Sequence, residues 1–439
     1  MATEERILIK DCKVVPMVKG LAEPGDLYYE GEIAVEGHTI AAVGPVGTVP
    51  PGWRADRVIQ ARGMVAMPGF VNAHTHAAMT LLRSYADDLP LMQWLEQKIW
   101  PLEAKLEPED VYWGTMLCIL EMIQSGTTSF ADMYFYMDQV ARAVADSGIR
   151  GCLSRGLIGL QENASQALAE NRELVRNWHG QADGRVTVML GPHAPYTCPP
   201  AFLEQVMAAA DDLRVGLHIH VAETGVEKDD IERQYGKSPV QHLDAVGVFR
   251  YPVLAAHCVH LNAEDITVLK ERQVGVAHNP ESNMKLASGI APVPQMLEAG
   301  IPVALGTDGA ASNNNLDMME EMRAAALLHK VSTGNPTVIP SYQAMEMATK
   351  NGARALGLRD VGTLQAGKKA DIILLDFERP HLYPHHDILA HLVYAAQAAD
   401  VQTVIVNGRV LMENREVKTI DTERVLYEVS HRAKRLTGK

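Results

Sequence analysis

The sequence of 439 residues contains no apolar run that approaches the roughly 20 residues needed for a membrane-spanning helix. Its first ten residues are charged and lack the apolar core of a signal peptide. Internal repeats and low-complexity segments are also missing. We therefore expect a cytoplasmic protein that does not act at a membrane.

Two further absences narrow the class of protein. The formal net charge is −14, and the lysines and arginines are interspersed with acidic residues instead of forming the dense basic face that nucleic-acid binding requires. No two cysteines follow the Cys-x-x-Cys spacing and their number is odd, which is typical of a reducing compartment without a disulfide framework or a thiolate metal site. The five cysteines are Cys12, Cys118, Cys152, Cys198 and Cys258. Nucleic acid is therefore not an expected partner.

The two ends of the chain share a strand-rich pattern that differs from the middle. Apolar strands and turn signals occupy residues 1–65 and return in residues 365–420, so we predict one small β domain assembled from both segments. Residues 66–364 alternate short apolar strands with helical stretches, which is typical of a single α/β domain. Residues 421–439 form a predicted C-terminal helix with a basic end, which suits a helix C-terminus.

The middle segment contains eight candidate strands. With their intervening helices they predict a (β/α)8 barrel, and a doubly wound open sheet is the alternative. The barrel is favoured because many polar residues stand at the carboxyl ends of these strands, where barrel enzymes build their active sites. The candidate strands are Val65–Asn72, Thr127–Met133, Arg150–Ser154, Val186–Pro192, Val215–His220, Val253–His257, Gly275–Asn279 and Val303–Thr307.

Four of the polar residues at these strand ends are candidate metal ligands. His74 and His76 follow the first strand two residues apart, so both imidazoles can face one side. His220 ends a later strand, and Asp308 follows the last one, where a lone Asp could equally be a base or a turn former. Three imidazole nitrogens and one carboxylate suit zinc, and iron is also compatible. Such an ion lowers the pKa of water toward about 7, so these residues predict a metal-dependent hydrolase.

Two more residues stand at the same predicted mouth. Glu223 lies three residues beyond His220, where a carboxyl group can act as an acid or a base beside the ion, although a lone Glu there would be a solvated helix-start residue. His257 ends another apolar strand, a position at which most histidines are simply core residues. His218 lies one layer deeper than His220, and we expect it to be a hydrogen-bonded core histidine.

At these residues the chain resembles the amidohydrolase superfamily. The resemblance spans essentially the whole chain and implies a (β/α)8 barrel with a small flanking β-sandwich. Many members of the superfamily use a modified lysine after the fourth strand to bridge two ions. Here that strand ends Leu190-Gly191-Pro192-His193, which implies a single divalent ion. The segments that carry the resemblance are Gly63–His76, His220 with Glu223, His257, Thr307-Asp308 and the exit segment Gly362–Asp371.

Within the superfamily the chain looks most like the 5'-methylthioadenosine/S-adenosylhomocysteine deaminases. In that family the carboxylate that matches Glu103 binds ribose hydroxyls, which a carboxylate does well by accepting two hydrogen bonds. The matching histidine and arginine, His193 and Arg155, also bind the substrate. A second family arginine has no match in Gln161–Ala169. The segments that carry this closer resemblance are Val221–Thr224, Pro280–Gly289, Trp100–Glu103 and Gly191–His193.

The resemblance implies a reaction: hydrolytic deamination of the adenine ring of a nucleoside, giving the inosine analogue and ammonia. Asp308 would accept the proton of the activated water and pass one to the leaving amine. Glu223 would protonate the ring nitrogen next to the attacked carbon, and His257 would direct the attacking hydroxide. Glu223 and Asp308 would thereby contact the substrate as well. The resemblance also suggests a homo-oligomer.

Three alternatives remain open from the sequence. The same metal set serves deaminases of guanine-like heterocycles and triazine chlorohydrolases, and Glu103 argues for a ribosyl group because a free base offers it no diol. From another class, some relatives have lost their ligands and act as non-enzymatic scaffolds. This chain retains all four ligands together with Glu223 and His257, which argues against a scaffold.

Overall fold

The computed structural model describes residues 5–18 and 27–438. Residues 1–4 and 19–26 of the predicted small domain and residue 439 of the predicted last helix lie outside the described residues. The strands are β1 (Arg6–Val14), β2 (Tyr29–Glu36), β3 (Thr39–Pro45), β4 (Arg57–Gln60), β5 (Met64–Pro68), β6 (Phe70–Thr75), β7 (Thr127–Tyr134), β8 (Arg150–Leu157), β9 (Val186–Pro192), β10 (Leu217–Val221), β11 (Val253–His257), β12 (Gly275–His278), β13 (Val303–Leu305), β14 (Ile372–Asp376), β15 (Val401–Val406), β16 (Arg409–Glu413) and β17 (Glu416–Val417).

Strands from both ends of the chain form a flanking sheet. Among the described residues, its order is β17-β16-β15-β14-β5-β1-β2-β3, with β4 paired to β1. The strand β14 from the C-terminal part pairs antiparallel with β5 from the N-terminal part, which joins the two segments. The sheet has its own apolar core, which includes Ile7, Ile9, Ile33, Ile40, Ile372, Leu374 and Ile405.

The other eight strands of the described chain form the barrel. Strands β6 to β13 follow one another in sequence order and pair in parallel. The first and last strands meet through bonds at their carboxyl ends: Asp308 N donates to His74 O (2.9 Å), and Thr307 N donates to the Oδ1 of Asn72 (3.0 Å). The barrel is therefore nearly closed, and all eight carboxyl ends surround one mouth.

Helices cover the outside of the barrel and one side of its mouth. A continuous helical segment, Leu91–Glu103, includes a π-helical stretch at Leu95–Ile99 and lies over the mouth. The α-helices are α1 (Leu91–Trp94), α2 (Trp100–Glu103), α3 (Pro108–Ser125), α4 (Met137–Ser147), α5 (Ala164–Trp178), α6 (Gln181–Gly184), α7 (Pro200–Leu213), α8 (Gly225–Tyr235), α9 (Pro239–Val246), α10 (Ala263–Glu271), α11 (Pro280–Lys285), α12 (Val293–Glu298), α13 (Met318–Thr333), α14 (Ser341–Ala348), α15 (Lys350–Ala355), α16 (Ile388–Tyr394) and α17 (Thr422–Thr437). Within the described ranges, none of the helices combines the length and apolar character needed to cross a bilayer.

The predicted fold class is confirmed: a barrel, not an open sheet, carries a flanking sheet built from both termini. One predicted element is wrong, because Val65–Asn72 is two strands and not one. The chain passes from the flanking sheet into the barrel at Gly69, where a Cβ atom would overlap the Thr128 side chain. Both strands are apolar, so periodicity alone could not separate them. The domain boundaries given above remain predictions.

Candidate metal centre and active site

The four predicted metal ligands lie together at the barrel mouth. His74 lies in β6 with His76 just beyond it, His220 lies in β10, and Asp308 follows β13. The Oδ1 of Asp308 is 3.3 Å from the Nε2 of His76 and 3.5 Å from that of His74, and the Nε2 atoms of His76 and His220 are 3.4 Å apart. Tetrahedral ligands about 2.1 Å from a zinc ion are themselves roughly 3.4 Å apart. These three distances therefore fit a divalent ion, and the ligand atoms of His74, His76 and Asp308 all lie within 4.8 Å of one another.

The opposite ring nitrogen of each histidine is held by the surrounding chain. The Nδ1 partners are the Nε2 of His218 for His74 (2.9 Å), Met133 O for His76 (2.6 Å) and His193 O for His220 (2.7 Å). Such bonds fix the tautomer and the ring orientation and leave Nε2 free to bind a metal. His218 is buried and also pairs through Nδ1 with Ser154 Oγ (3.2 Å), so it fixes the ring of His74, a predicted ligand.

Unpaired polar atoms mark the centre of this group. The Oδ2 of Asp308 accepts hydrogen bonds from Ser282 Oγ (2.7 Å) and Ser312 Oγ (2.8 Å), whereas its Oδ1 and the Nε2 of His74 are buried without a hydrogen-bond partner. Burial lowers the pKa of His74 to about 4, which keeps the ring neutral as ligation requires. A cation between these atoms would satisfy them, so the residues present fit the predicted metal.

Glu223 and His257 lie beside the ligand set. Both are buried, and the Nε2 of His257 is 3.9 Å from the Oε2 of Glu223. Burial raises the pKa of Glu223, which His257 partly opposes. Burial acts to lower the pKa of His257, but the charges of Glu223 and Asp308 outweigh it and raise that pKa. A carboxyl group with a raised pKa beside an imidazole is suited to proton transfer near neutral pH.

Glu103 and His193 line the same pocket as Glu223 and three of the predicted ligands, His76, His220 and Asp308. Burial raises the pKa of Glu103, against the effects of the Tyr134 hydroxyl and of His76. The Nδ1 of His193 pairs with Thr197 Oγ1 (2.9 Å), which fixes the ring. Apolar side chains complete the pocket: Met79, Leu91, Trp94, Leu95, Trp100, Met133, Phe135, Ile158 and Leu286.

Arg155 lies outside this pocket, in a second one that adjoins it. The two pockets share Glu103 and Phe135. The Nε of Arg155 pairs with the Oε2 of Glu170 (2.9 Å), and its guanidinium lies 5.0 Å from the centre of the Phe135 ring. Seven of the nine predicted site residues therefore line one pocket, His74 lies fully buried beside His76 and Asp308, and Arg155 lies in the adjoining pocket.

Several supporting residues were missed by the sequence reasoning. Ser282 bonds to Asp308, and the Oδ1 of Asn283 lies 2.9 Å from the Nδ1 of His257. Both lie in Pro280–Gly289. This segment resembles the family, but no role was predicted for its side chains. Such contacts depend on how separate strand ends meet in three dimensions, and spacing along the chain contains no signal for them.

The fold and the site define a metal-dependent hydrolase of the barrel type. The model of the amidohydrolase family matches residues 65–411. The chain therefore belongs to the amidohydrolase family and, within it, to the branch of curated relatives named 5-methylthioadenosine/S-adenosylhomocysteine deaminase. The predictions of the family and of a hydrolase are confirmed.

Relatives with these names align over nearly the whole chain. The protein from Pelotomaculum thermopropionicum is 61% identical over 433 residues, 99% of both chains. The protein from Moorella thermoacetica is 58% identical over 428 residues, 97% of this chain and 99% of the relative.

Two kinds of solved structure are also similar. An adenosine deaminase from Xanthomonas campestris with bound zinc is 37% identical, with a TM-score of 0.93 over 99% of both chains. An atrazine chlorohydrolase from Arthrobacter aurescens complexed with zinc is 27% identical, with a TM-score of 0.89 over 97% of this chain and all of the other. Zinc in both structures agrees with the predicted divalent metal.

Proposed function

We propose that the protein is a zinc-dependent deaminase of adenosine-type nucleosides. Its substrates are 5'-methylthioadenosine, S-adenosylhomocysteine or both, adenosine is a third candidate, and its products are the inosine analogue and ammonia. The observation that carries this proposal is the position of Glu223, buried beside His257 and the four metal-fitting residues in a pocket that also contains Glu103. That arrangement supplies a proton donor, a guide for the nucleophile and a partner for a ribose diol in one cavity.

The chain's own residues divide the chemistry among themselves. His74, His76, His220 and Asp308 would hold a divalent ion, which would supply an activated water at neutral pH. Asp308 takes a proton from that water as its oxygen adds to C6 of the adenine ring, and Glu223 gives a proton to the adjacent ring nitrogen. His257 hydrogen-bonds the attacking oxygen and fixes its direction. Asp308 then passes its proton to the amino group, which leaves as ammonia, and the remaining proton on the C6 oxygen goes to Glu223 as the carbonyl forms.

The remaining residues position the nucleoside. The apolar side chains of the pocket suit the faces of a purine, and the Glu103 carboxylate accepts hydrogen bonds from the ribose hydroxyls. His193 contacts the sugar side of the substrate. Arg155, in the adjoining pocket, faces the 5' substituent.

Further parts of the proposal concern the state of the protein. We propose one ion per subunit, zinc with iron as a compatible replacement, because β9 is followed by His193 and not by a bridging lysine. We also propose a homo-oligomer in the cytoplasm that needs neither nucleic acid nor a membrane for its activity. Metal analysis per subunit and light scattering of the purified protein test the first two statements.

A panel of substrates tests the proposed function. The purified zinc enzyme is offered 5'-methylthioadenosine, S-adenosylhomocysteine, adenosine and 5'-deoxyadenosine, and the absorbance loss of deamination is followed. Guanine and a chlorotriazine are the controls, because the atrazine chlorohydrolase shares the fold. We expect one or more nucleosides to exceed both controls in kcat/KM. Faster turnover of guanine or the chlorotriazine would contradict the proposal.

A substitution at Glu103 sharpens this test. Glu103→Gln replaces the carboxylate that accepts hydrogen bonds from the ribose hydroxyls, and it preserves the shape of the side chain. We expect a higher KM for the preferred nucleoside and a smaller change in kcat. An unchanged KM would remove Glu103 from ribose recognition.

A further inference from the structure

A second buried carboxylate lies directly behind Glu223. Glu227, in the first turn of α8, is only 5% exposed. Its Oε1 accepts a hydrogen bond from Ala222 N and its Oε2 accepts one from Glu223 N, both at 2.8 Å. Both carboxylate oxygens of Glu227 thus accept hydrogen bonds from the backbone segment that carries Glu223.

This geometry differs from that of an ordinary helix cap. Thr224 is the N-cap of α8, and its Oγ1 accepts a bond from Glu227 N (3.1 Å). In a capping box, the carboxylate at this position would bond to the backbone N–H of the N-cap residue itself. Here the Glu227 carboxylate instead bonds to the two residues that precede the cap. The interaction therefore serves the loop before the helix, where Glu223 lies.

The backbone of that loop needs support. Ala222 has a φ of 52°, in the left-handed region that a residue with a side chain adopts only when its surroundings hold it there. Its carbonyl accepts bonds from Val259 N (3.0 Å) and His260 N (2.9 Å), just after His257. The loops that carry Glu223 and His257 are thus tied together, and Glu227 holds the other side of the same peptide.

The pair of N–H donors also explains why a carboxylate stands here. Two donors at 2.8 Å need two acceptor oxygens, and a glutamine would offer one oxygen and one NH₂ group. The NH₂ group would then face an N–H group with no acceptor between them. A residue that only capped the helix would not need two acceptor oxygens for these two N–H groups.

We propose that Glu227 is a positioning residue for the deamination, and that it acts by fixing the backbone, and through it the carboxyl group, of Glu223. The inference rests on the proposed role of Glu223 as the proton donor to the ring. Because proton transfer depends on tenths of an ångström, displacement of Glu223 lowers kcat more than it weakens substrate binding.

A double-mutant cycle on the zinc-loaded enzyme tests this proposal. Glu223→Gln, Glu227→Gln and the double variant are compared with the wild type, and zinc content is measured for each. Glu227→Gln is expected to lower kcat by about 10-fold to 100-fold with KM and zinc content close to wild type. In the Glu223→Gln background, Glu227→Gln should lower kcat by less than about twofold. Glu227 is proposed to act only through the carboxyl group of Glu223, which that background already lacks.

A matched control and a second variant make the outcomes decisive. Glu232→Gln makes the same change on the same helix, where the side chain bonds to Lys228, and should keep the wild-type kcat. If Glu227→Gln does not fold, Glu227→Asp keeps both oxygens but withdraws them by one methylene, and the same pattern of non-additivity is expected.

The possible failures are distinguishable. Wild-type kcat in Glu227→Gln, or losses that multiply in the double variant, would overturn the role of Glu227 alone. Near-wild-type turnover by Glu223→Gln would overturn the proposed role of Glu223 itself.

Discussion

The barrel mouth and the flanking sheet differ in the kind of side chain that they bury. In the flanking sheet, the described core is a continuous apolar cluster that includes Ile9, Ile40 and Ile372. At the mouth, the buried groups are imidazoles and carboxylates, and Asp308 retains an oxygen without a hydrogen-bond partner.

The difference indicates that the residues of the mouth serve the reaction, whereas the core of the flanking sheet serves stability. A cluster of buried ionisable groups costs free energy, and such a cluster persists where function uses it. Substitutions at the mouth should therefore change turnover much more than the free energy of unfolding. Substitutions in and beneath the flanking sheet should do the reverse.

The largest expected effect is at Asp308. Asp308→Asn removes the proposed proton acceptor and a proposed negative metal ligand, so kcat should fall by about 10³-fold or more and bound zinc should decrease. The free energy of unfolding of the metal-free protein should change by only about 1 kcal/mol, because the amide retains its shape beside Ser282 and Ser312. Turnover, metal analysis and urea denaturation after chelation measure the three quantities.

The control for Asp308 is an aspartate far from the mouth. Asp244 pairs with Arg272 at the surface (2.7 Å), and Asp244→Asn should leave kcat and zinc content at their wild-type values. A kcat within tenfold of wild type in Asp308→Asn would contradict both its role and the contrast between the two regions.

The next effect lies where the flanking sheet meets the barrel. Asp371 forms two bonds with Arg150, at 2.9 and 3.0 Å, and also accepts a bond from Asn407 N (2.7 Å). Both charged side chains are at most 3% exposed. Asp371→Asn leaves the guanidinium buried without its counter-charge, which should cost about 3–5 kcal/mol in unfolding free energy. Since Arg150 begins β8, at the end of the barrel remote from the mouth, kcat per folded molecule should not change.

An exposed ion pair is the control for this loss. Glu109→Ala breaks the pair between Glu109 and Arg142 (3.1 Å), which water screens, and should cost about 0–1 kcal/mol. Urea denaturation compares the two variants. Equal losses would mean that burial does not set the strength of the Arg150–Asp371 pair, and a fall in kcat for Asp371→Asn would mean that the two regions are coupled.

The same contrast explains how far the sequence could predict the structure. The strands and their polar ends were predictable because an apolar run that stops at His220 or His257 is a local pattern. So was the last helix, expected over residues 421–439 and found as α17, with Asp421 accepting a bond from Arg424 N (3.0 Å). The passage of the chain from the flanking sheet into the barrel at Gly69 was not predictable, because β5 and β6 are equally apolar and belong to different sheets.

Within the site, residue type and position were predictable and supporting contacts were not. His74, His76, His220 and Asp308 could be named because each stands at the end of a strand in a repeating pattern. The displacement of Arg155 from the central pocket could not, because it depends on the ion pair with Glu170 on a separate helix.

The smallest effect uses one chemical change in both regions. Ile372 in β14 and Ile219 in β10 are both fully buried, and Ile219 lies between His218 and His220 in the sequence. Replacing either by valine removes one methylene group and should cost about 1 kcal/mol in unfolding free energy. Ile372→Val should keep the wild-type kcat, whereas Ile219→Val should lower it a few-fold, because a small shift of β10 moves the His220 ligand. Urea denaturation and steady-state kinetics on the same preparations measure both quantities. If the two variants lowered kcat equally, the flanking sheet would influence the mouth through the barrel and the two regions could not be treated as separate.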